Sequence, residues 1–301
     1  IVENWAAPYV LVMTAILLAW ILYQAGGIGF LLHEEDKFGT PGEFFKIFIP
    51  SLTAMIGFWA TLSLNMPDFT RFGKSQREQA IGQTVALPTT MVVFAAMGIL
   101  ITSAAIVVFP TMRSEDLWDP VKLVGQFSQP VVVAVSMFTV VIATLSVNIA
   151  ANVVSPANDF ANAFPKLISF RTGGLITGII GILMQPWKLL ADPSGYIFSW
   201  LLGYSGGLGS IAGVLIADYW LVRGKSLNLG DLYRTRGEYA GWNWRAVVAT
   251  LLGCFFAWIG VVFEPLRILY DYAWFVGFGV SFAVHWGLMK AMPPQIDKVI
   301  E

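Results

Sequence analysis

Eight stretches of this chain stay apolar for about the 20 residues that a helix needs to cross the hydrocarbon of a bilayer. They run roughly over residues 5–24, 48–65, 85–109, 130–154, 172–190, 195–222, 246–263 and 268–289, with the shortest links at 191–194 and 264–267. No other feature constrains the fold as much. In lipid, every backbone polar group must be bonded within its own segment or barrel, so apolar runs of this length become a bundle of helices. Only 12% of the residues are charged, against roughly a quarter in soluble domains. The fold class is therefore all-α, a polytopic membrane protein, read as one transmembrane domain over residues 1–301.

The charges orient the spans, because Lys and Arg collect in cytoplasmic loops. Taking alternate links, one side holds Arg71, Lys74, Arg77, Lys166, Arg171, Arg223, Lys225, Arg234, Arg236, Arg245, Lys290 and Lys298, twelve of the 18 basic residues. The other side holds Lys37, Lys46, Arg113, Lys122, Lys188 and Arg267, with the acidic runs HEEDK at 33–37 and EDLWD at 115–119. The first span then runs outward and the C-terminus is cytoplasmic, in a plasma (inner) membrane. A net charge of −1 gives no reason to expect a nucleic-acid partner. The opening IVENWAAPYVLVMTAILLAWILY has no basic n-region and no cleavage site, so it reads as a span rather than a signal peptide. Ile1 in place of Met suggests a start part-way through a larger protein. Cys254, the one cysteine, reads as a packed thiol.

Ionisable groups at mid-membrane depth are functional candidates by default, and these spans have almost none. His285 lies towards the end of the last span and reads as structural. Asp218, in IADYWLVR, reads as an anchor paired with Arg223. No paired carboxylates, HExxH or Ser/His/Asp set is present, which argues against an intramembrane enzyme.

What remains is neutral polarity. From Lys122 to Asp159 no residue is charged, yet ATLSVNIAAN (143–152) carries a threonine, a serine and two asparagines. At about 100° per residue, Ala143, Ser146, Val147 and Ala150 share one face, and Asn148 and Asn152 share another. These faces serve either helix packing or a ligand with a neutral amide edge, which an asparagine can both donate to and accept from. In the second span, Gly57 precedes Phe58 and Trp59; it marks an unwound segment or simple aromatic packing, and Trp59 offers an indole for stacking. The sixth span carries Gly203, Gly206, Gly207, Gly209 and Gly213, a pattern for close helix contact or for a bending gate.

GFWATLSL followed by NMPDFTRFGKSQREQAIGQ (65–83), ANVVSPANDFANAFPKLISFRTGG (151–174) and IADYWLVRGKSLNLGDLYRTRGEYA (216–240) resemble the nucleobase–cation symporter-1 family over essentially the whole chain. The resemblance implies a twelve-helix inverted-repeat fold like that of amino-acid transporters. The eight spans here correspond to family spans five to twelve, with the first four missing. It implies symport of a neutral heterocycle such as uracil, allantoin, hydantoin, cytosine or another purine or pyrimidine. By position, Trp59 matches the tryptophan that stacks on the substrate ring, and Phe58 stands where the hydantoin transporter has glycine. Asn152 matches the substrate-binding amide, with Asn148 beside it, and Leu201 matches an apolar residue that closes over the substrate. Ala143 and Ser146 match two sodium ligands; Val147, at the third position, has no side-chain oxygen, so either Na+ or H+ remains open as the coupling ion. No other cofactor and no obligatory protein partner is implied. An amino-acid permease of the same fold is the alternative reading, followed by a channel or an intramembrane enzyme.

Overall fold

A computed structural model describes residues 2–32, 38–113, 116–234 and 237–293 of the chain. The run 33–37, Glu115, Arg236 and Lys298, all used in the charge pattern, lie outside the described residues. Every regular element among the described residues is helical. The main helices are α1 (Val2–Gln24), α2 (Pro41–Leu64), α3 (Gln76–Val108), α4 (Pro130–Ala163), α5 (Phe170–Leu183), α6 (Tyr196–Val222), α7 (Trp244–Val262) and α8 (Ala273–Ala291).

Among the described residues, six helices are long and apolar enough to cross a membrane: Trp5–Gln24, Pro41–Ala60, Gln76–Val108, Pro130–Ala163, Tyr196–Val222 and Trp244–Val262. A seventh is reached if Glu264–Asp271 and Ala273–Ala291 count as one span, bent by 82°. Within the expected span 268–289 the chain turns a corner at Tyr272, and α8 carries the rest of it. The expected span 172–190 does not meet the same test. It forms α5, of 14 residues, and then a short helix Pro186–Leu190. Pro186 is the reason for the break: the residue before a proline is pushed out of the α region, and Gln185 adopts a φ of +52°.

Four turns widen to π-helical geometry: Gly82–Ala86 in α3, Ile149–Val154 in α4, and Tyr196–Leu201 and Asp218–Val222 at the two ends of α6. The first two end two residues before Pro88 and Pro156. A proline has no N–H for the carbonyl four residues back and its ring crowds that carbonyl. A wider turn relieves both conflicts without breaking the helix.

The chain folds as two compact units, Ile1–Lys37 with Pro67–Leu183, and Phe38–Met66 with Met184–Glu301. The core of the first is built from Ile21 of α1, Ile101, Ala104 and Ala105 of α3, and Leu117 and Leu123 of the following loop and short helix. α5 packs on the end of α4 where Gly173 meets Ala157: a Cβ on Gly173 would stand 2.7 Å from the Ala157 carbonyl oxygen.

In the second unit, α6 is the most enclosed helix, packed by α2, α7 and α8. Its glycine row is a contact surface. A Cβ on Gly209 would lie 2.4 Å from the Trp274 carbonyl oxygen, and one on Gly277 would lie 2.5 Å from the Gly206 carbonyl oxygen. Backbones this close gain dispersion contact along their length and leave no room for side chains between them.

Candidate functional site

The amide face of α4 is formed as its spacing predicts. Asn152 Nδ2 donates to Asn148 Oδ1 at 2.8 Å, and Asn148 Nδ2 donates to the Thr144 carbonyl at 2.9 Å. Both side chains are exposed. An asparagine has two donors and an acceptor, so Asn152 keeps its carbonyl oxygen and one N–H for another partner. Asn152 lies inside the π-helical turn Ile149–Val154, and Pro156 gives no N–H to the Asn152 backbone carbonyl. Polar capacity is therefore concentrated at one place in an otherwise apolar helix. The π turn is a feature that the sequence reasoning missed; Pro156 within ANVVSPAN is the signal that points to it.

On the neighbouring face, Ser146 Oγ donates to the Ala143 carbonyl at 3.2 Å. Two oxygens thus stand together, while Val147 is exposed and adds none. Two oxygens fit part of a hard-cation site, which takes several such ligands. No cluster of three His, Cys, Asp or Glu side chains exists among the described residues. Ala143 and Thr144 also line a cavity of about 390 Å³ in the first unit, where Thr14, Thr102, Ser136 and Thr139 contribute hydroxyls to an otherwise apolar wall. Beyond Asn152, one turn on, Ser155 is buried and its Oγ donates to Asp68 Oδ2 at 2.9 Å. That bond ties the NMPDF segment to the end of the π turn.

In the second unit, Phe58 and Trp59 are exposed and their rings meet edge to face at 5.3 Å. Of the two readings open at Gly57, unwinding and packing, the structure has the second: α2 is helical from Pro41 to Leu64. Gly57 is there for packing, since a Cβ would stand 2.7 Å from Ser205 Cβ and 2.8 Å from the Leu201 carbonyl oxygen. The helix breaks later, at Asn65, before the short helix Met66–Thr70 that carries Pro67. Leu201 is only 2% exposed and packs with Ala54, Leu202 and Tyr270. Its side chain belongs to the core here; the exposed rings nearby are Trp200 and Tyr204, stacked 5.1 Å apart.

The ends of α6 and α8 hold a part-buried polar cluster. Asp218 Oδ2 accepts from Arg223 Nε at 2.5 Å, and Asp218 Oδ1 shares a hydrogen bond with His285 Nε2 at 3.2 Å. Arg223 Nη1 donates to Glu238 Oε1 at 2.9 Å. His285 is fully buried. The anchoring roles read from the sequence for Asp218 and His285 are what these contacts produce.

A family model described as permease for cytosine/purines, uracil, thiamine and allantoin matches residues 1–277. The chain is 43% identical to an allantoin permease of Bacillus subtilis, over 97% of this chain and 59% of the relative. It is 39% identical to a purine-uracil permease of Arabidopsis thaliana, over 96% of this chain and 50% of the relative. It is also 39% identical to a hydantoin permease of Microbacterium maritypicum, over 43% of this chain. The chain thus spans only about half the length of the first two curated relatives. No solved structure matches significantly. On a match covering nearly all of its length, the chain belongs to the family of permeases for cytosine/purines, uracil, thiamine and allantoin.

Proposed function

We propose that this chain forms the greater part of a secondary-active carrier for a flat, neutral nitrogen heterocycle of the allantoin, uracil or purine class. The observation that carries the reading is the exposed Asn148–Asn152 amide pair, set in a π turn of an uncharged helix. Asn152 reads an –NH–C(=O)– edge while Asn148 holds its orientation. Trp59 and Phe58 supply exposed aromatic surface for stacking, with Gly57 letting α2 approach α6 and Leu201 packing behind. The names of the relatives, allantoin permease and purine-uracil permease, support the substrate class.

Transport is coupled to a cation in this reading. The Ala143 carbonyl and the Ser146 hydroxyl would hold Na+; a site this poor in oxygens is equally compatible with H+ as the coupling ion. We read the chain as eight crossings matching spans five to twelve of a twelve-helix carrier, with the C-terminus cytoplasmic in the plasma membrane. α5 counts as a crossing because the two-to-one bias of basic residues stays regular only if it does. At 1.5 Å per residue its 14 residues span about 21 Å.

Uptake of radiolabelled allantoin, uracil and hydantoin by cells expressing the full-length protein tests the reading. Saturable uptake of at least one of them is expected, lost in Asn152→Ala. Unchanged uptake in both Asn152→Ala and Trp59→Ala would sink the residue assignment.

A further inference from the structure

The loop after α6 has a second property that substrate transport leaves unused. Three helix ends converge in the second unit. Asp218 near the end of α6 bonds His285 of α8, Asn243 Nδ2 lies 3.9 Å from Met289 Sδ, and Arg245 Nη2 donates to the Pro293 carbonyl at 3.3 Å. At each of these ends a cation lies over an indole. Lys225 Nζ is 4.3 Å from the Trp220 ring centre, Arg245 Cζ 5.1 Å from that of Trp244, and Lys290 Nζ 5.6 Å from that of Trp286. All three indoles are exposed.

The nearby carboxylates are already engaged. Asp218 and Glu238 hold Arg223, and Asp231 holds Arg234. Among the described residues none of Lys225, Arg245 or Lys290 forms a salt bridge, so no described carboxylate compensates these three positive charges. Lys225 is also placed at a conformational expense. It follows Gly224 (φ +56°) and itself takes a φ of +67°, a region that side-chain-bearing residues avoid. That turn brings its amide to the Tyr219 carbonyl at 2.8 Å and its ammonium over Trp220. Indoles at the ends of membrane helices sit at headgroup depth, and cations there attract anionic lipid.

We propose that this end of the second unit binds the phosphate headgroup of an anionic phospholipid, with Lys225, Arg245 and Lys290 as the cations and the three indoles as the interfacial platform. The proposal rests on the reading of the chain as membrane-spanning and not on which heterocycle is carried. The full-length protein is reconstituted into phosphatidylcholine vesicles, and tryptophan quenching by brominated phosphatidylglycerol is compared with quenching by brominated phosphatidylcholine. The wild type prefers the anionic lipid, and the preference falls about fivefold for each cation replaced by glutamine. Should the triple variant fail to fold, Lys225→Gln and Lys290→Gln, both at exposed positions, read the same ratio singly. Equal quenching by the two lipids in the wild type overturns the proposal. So does an equal loss in Arg234→Gln, which would mark a diffuse charge effect, or abolition of the preference by inorganic phosphate, which would mark a free-anion site. Uptake is measured in none of these arms, so a wrong substrate reading leaves the result standing, and a negative result here leaves uptake untouched.

Discussion

Asn152 Nδ2 donates to Asn148 Oδ1 at 2.8 Å, and this bond decides which edge of Asn152 faces outward. With one N–H committed along the helix, the amide presents an acceptor and a single donor, the complement of one –NH–C(=O)– edge. Asn152→Ala removes both groups and should raise the uptake KM by roughly 10- to 100-fold, the worth of about 1–3 kcal/mol for polar groups left unpaired. Asn148→Ala only frees the orientation and should cost about fivefold. Concentration-dependent uptake of labelled substrate measures both.

Val147 offers a gain-of-function test. Val147→Thr adds a hydroxyl one residue beyond Ser146, whose own hydroxyl lies 3.2 Å from the Ala143 carbonyl oxygen. The ratio of uptake in sodium to uptake in choline medium should rise. An unaltered ratio removes the sodium site from these residues.

Packing of α6 is testable by adding a methyl. Gly213→Ala would place its Cβ 2.3 Å from Ser281 Oγ and 2.4 Å from the Phe278 carbonyl oxygen. Backbone must move, so a loss of about 1–3 kcal/mol is expected. Gly279→Ala meets nothing within 4 Å and should be neutral or stabilising by about 1 kcal/mol. Thermal unfolding in detergent compares them.

Much of this was legible in the sequence, and the failures share a cause. The length of the apolar runs places α1, α3, α4, α6 and α7, and helical spacing puts Asn148 beside Asn152, because both are local properties. The same spacing also marks Gly209 and Gly213 as contact points. Gly57 left unwinding and packing open, because glycine signals either freedom or closeness and only the partner helix shows which; the break itself falls at Asn65. Leu201 faces the core for the same reason: its neighbours Ala54 and Tyr270 are distant in sequence. The breaks at Gln185 and Tyr272 fall inside apolar runs that carry small polar signals, Gln185, Pro186 and Lys188 at the first and Asp271 at the second, which a count of apolar length passes over.

His285 can be tested against a purely spatial role. His285→Ala strips Asp218 of one partner inside the unit and should destabilise by about 1–3 kcal/mol. His285→Gln keeps a polar reach and should recover part of that loss. Melting of His285→Ala equal to that of the wild type would show that the Asp218 bond contributes nothing.

In the loop after α3, Lys122 and then Arg113 hydrogen-bond Asp116 and hold its carboxyl below the usual carboxylate range. A lowered value means that the clasp is complete above the ordinary aspartate pKa of about 3.9 and is lost only as pH falls through the lower, folded value. Lys122→Met should raise the Asp116 midpoint more than Arg113→Gln does. Carbon NMR titration of the carboxyl reads the shift directly.

The π turn Ile149–Val154 acts as a phase shifter within α4. It holds one residue more than an α turn would, and each residue advances an α-helix by about 100°. Deleting a single residue there would turn it into an ordinary α turn and leave the segments on both sides in place, so Ser155 would keep Asp68 while Asn152 lost its wide turn. The same deletion elsewhere in α4 has no wide turn to absorb it and would rotate everything beyond it by roughly a quarter turn. The amide pair thus sits at the one place where this stretch of α4 can change length without changing face.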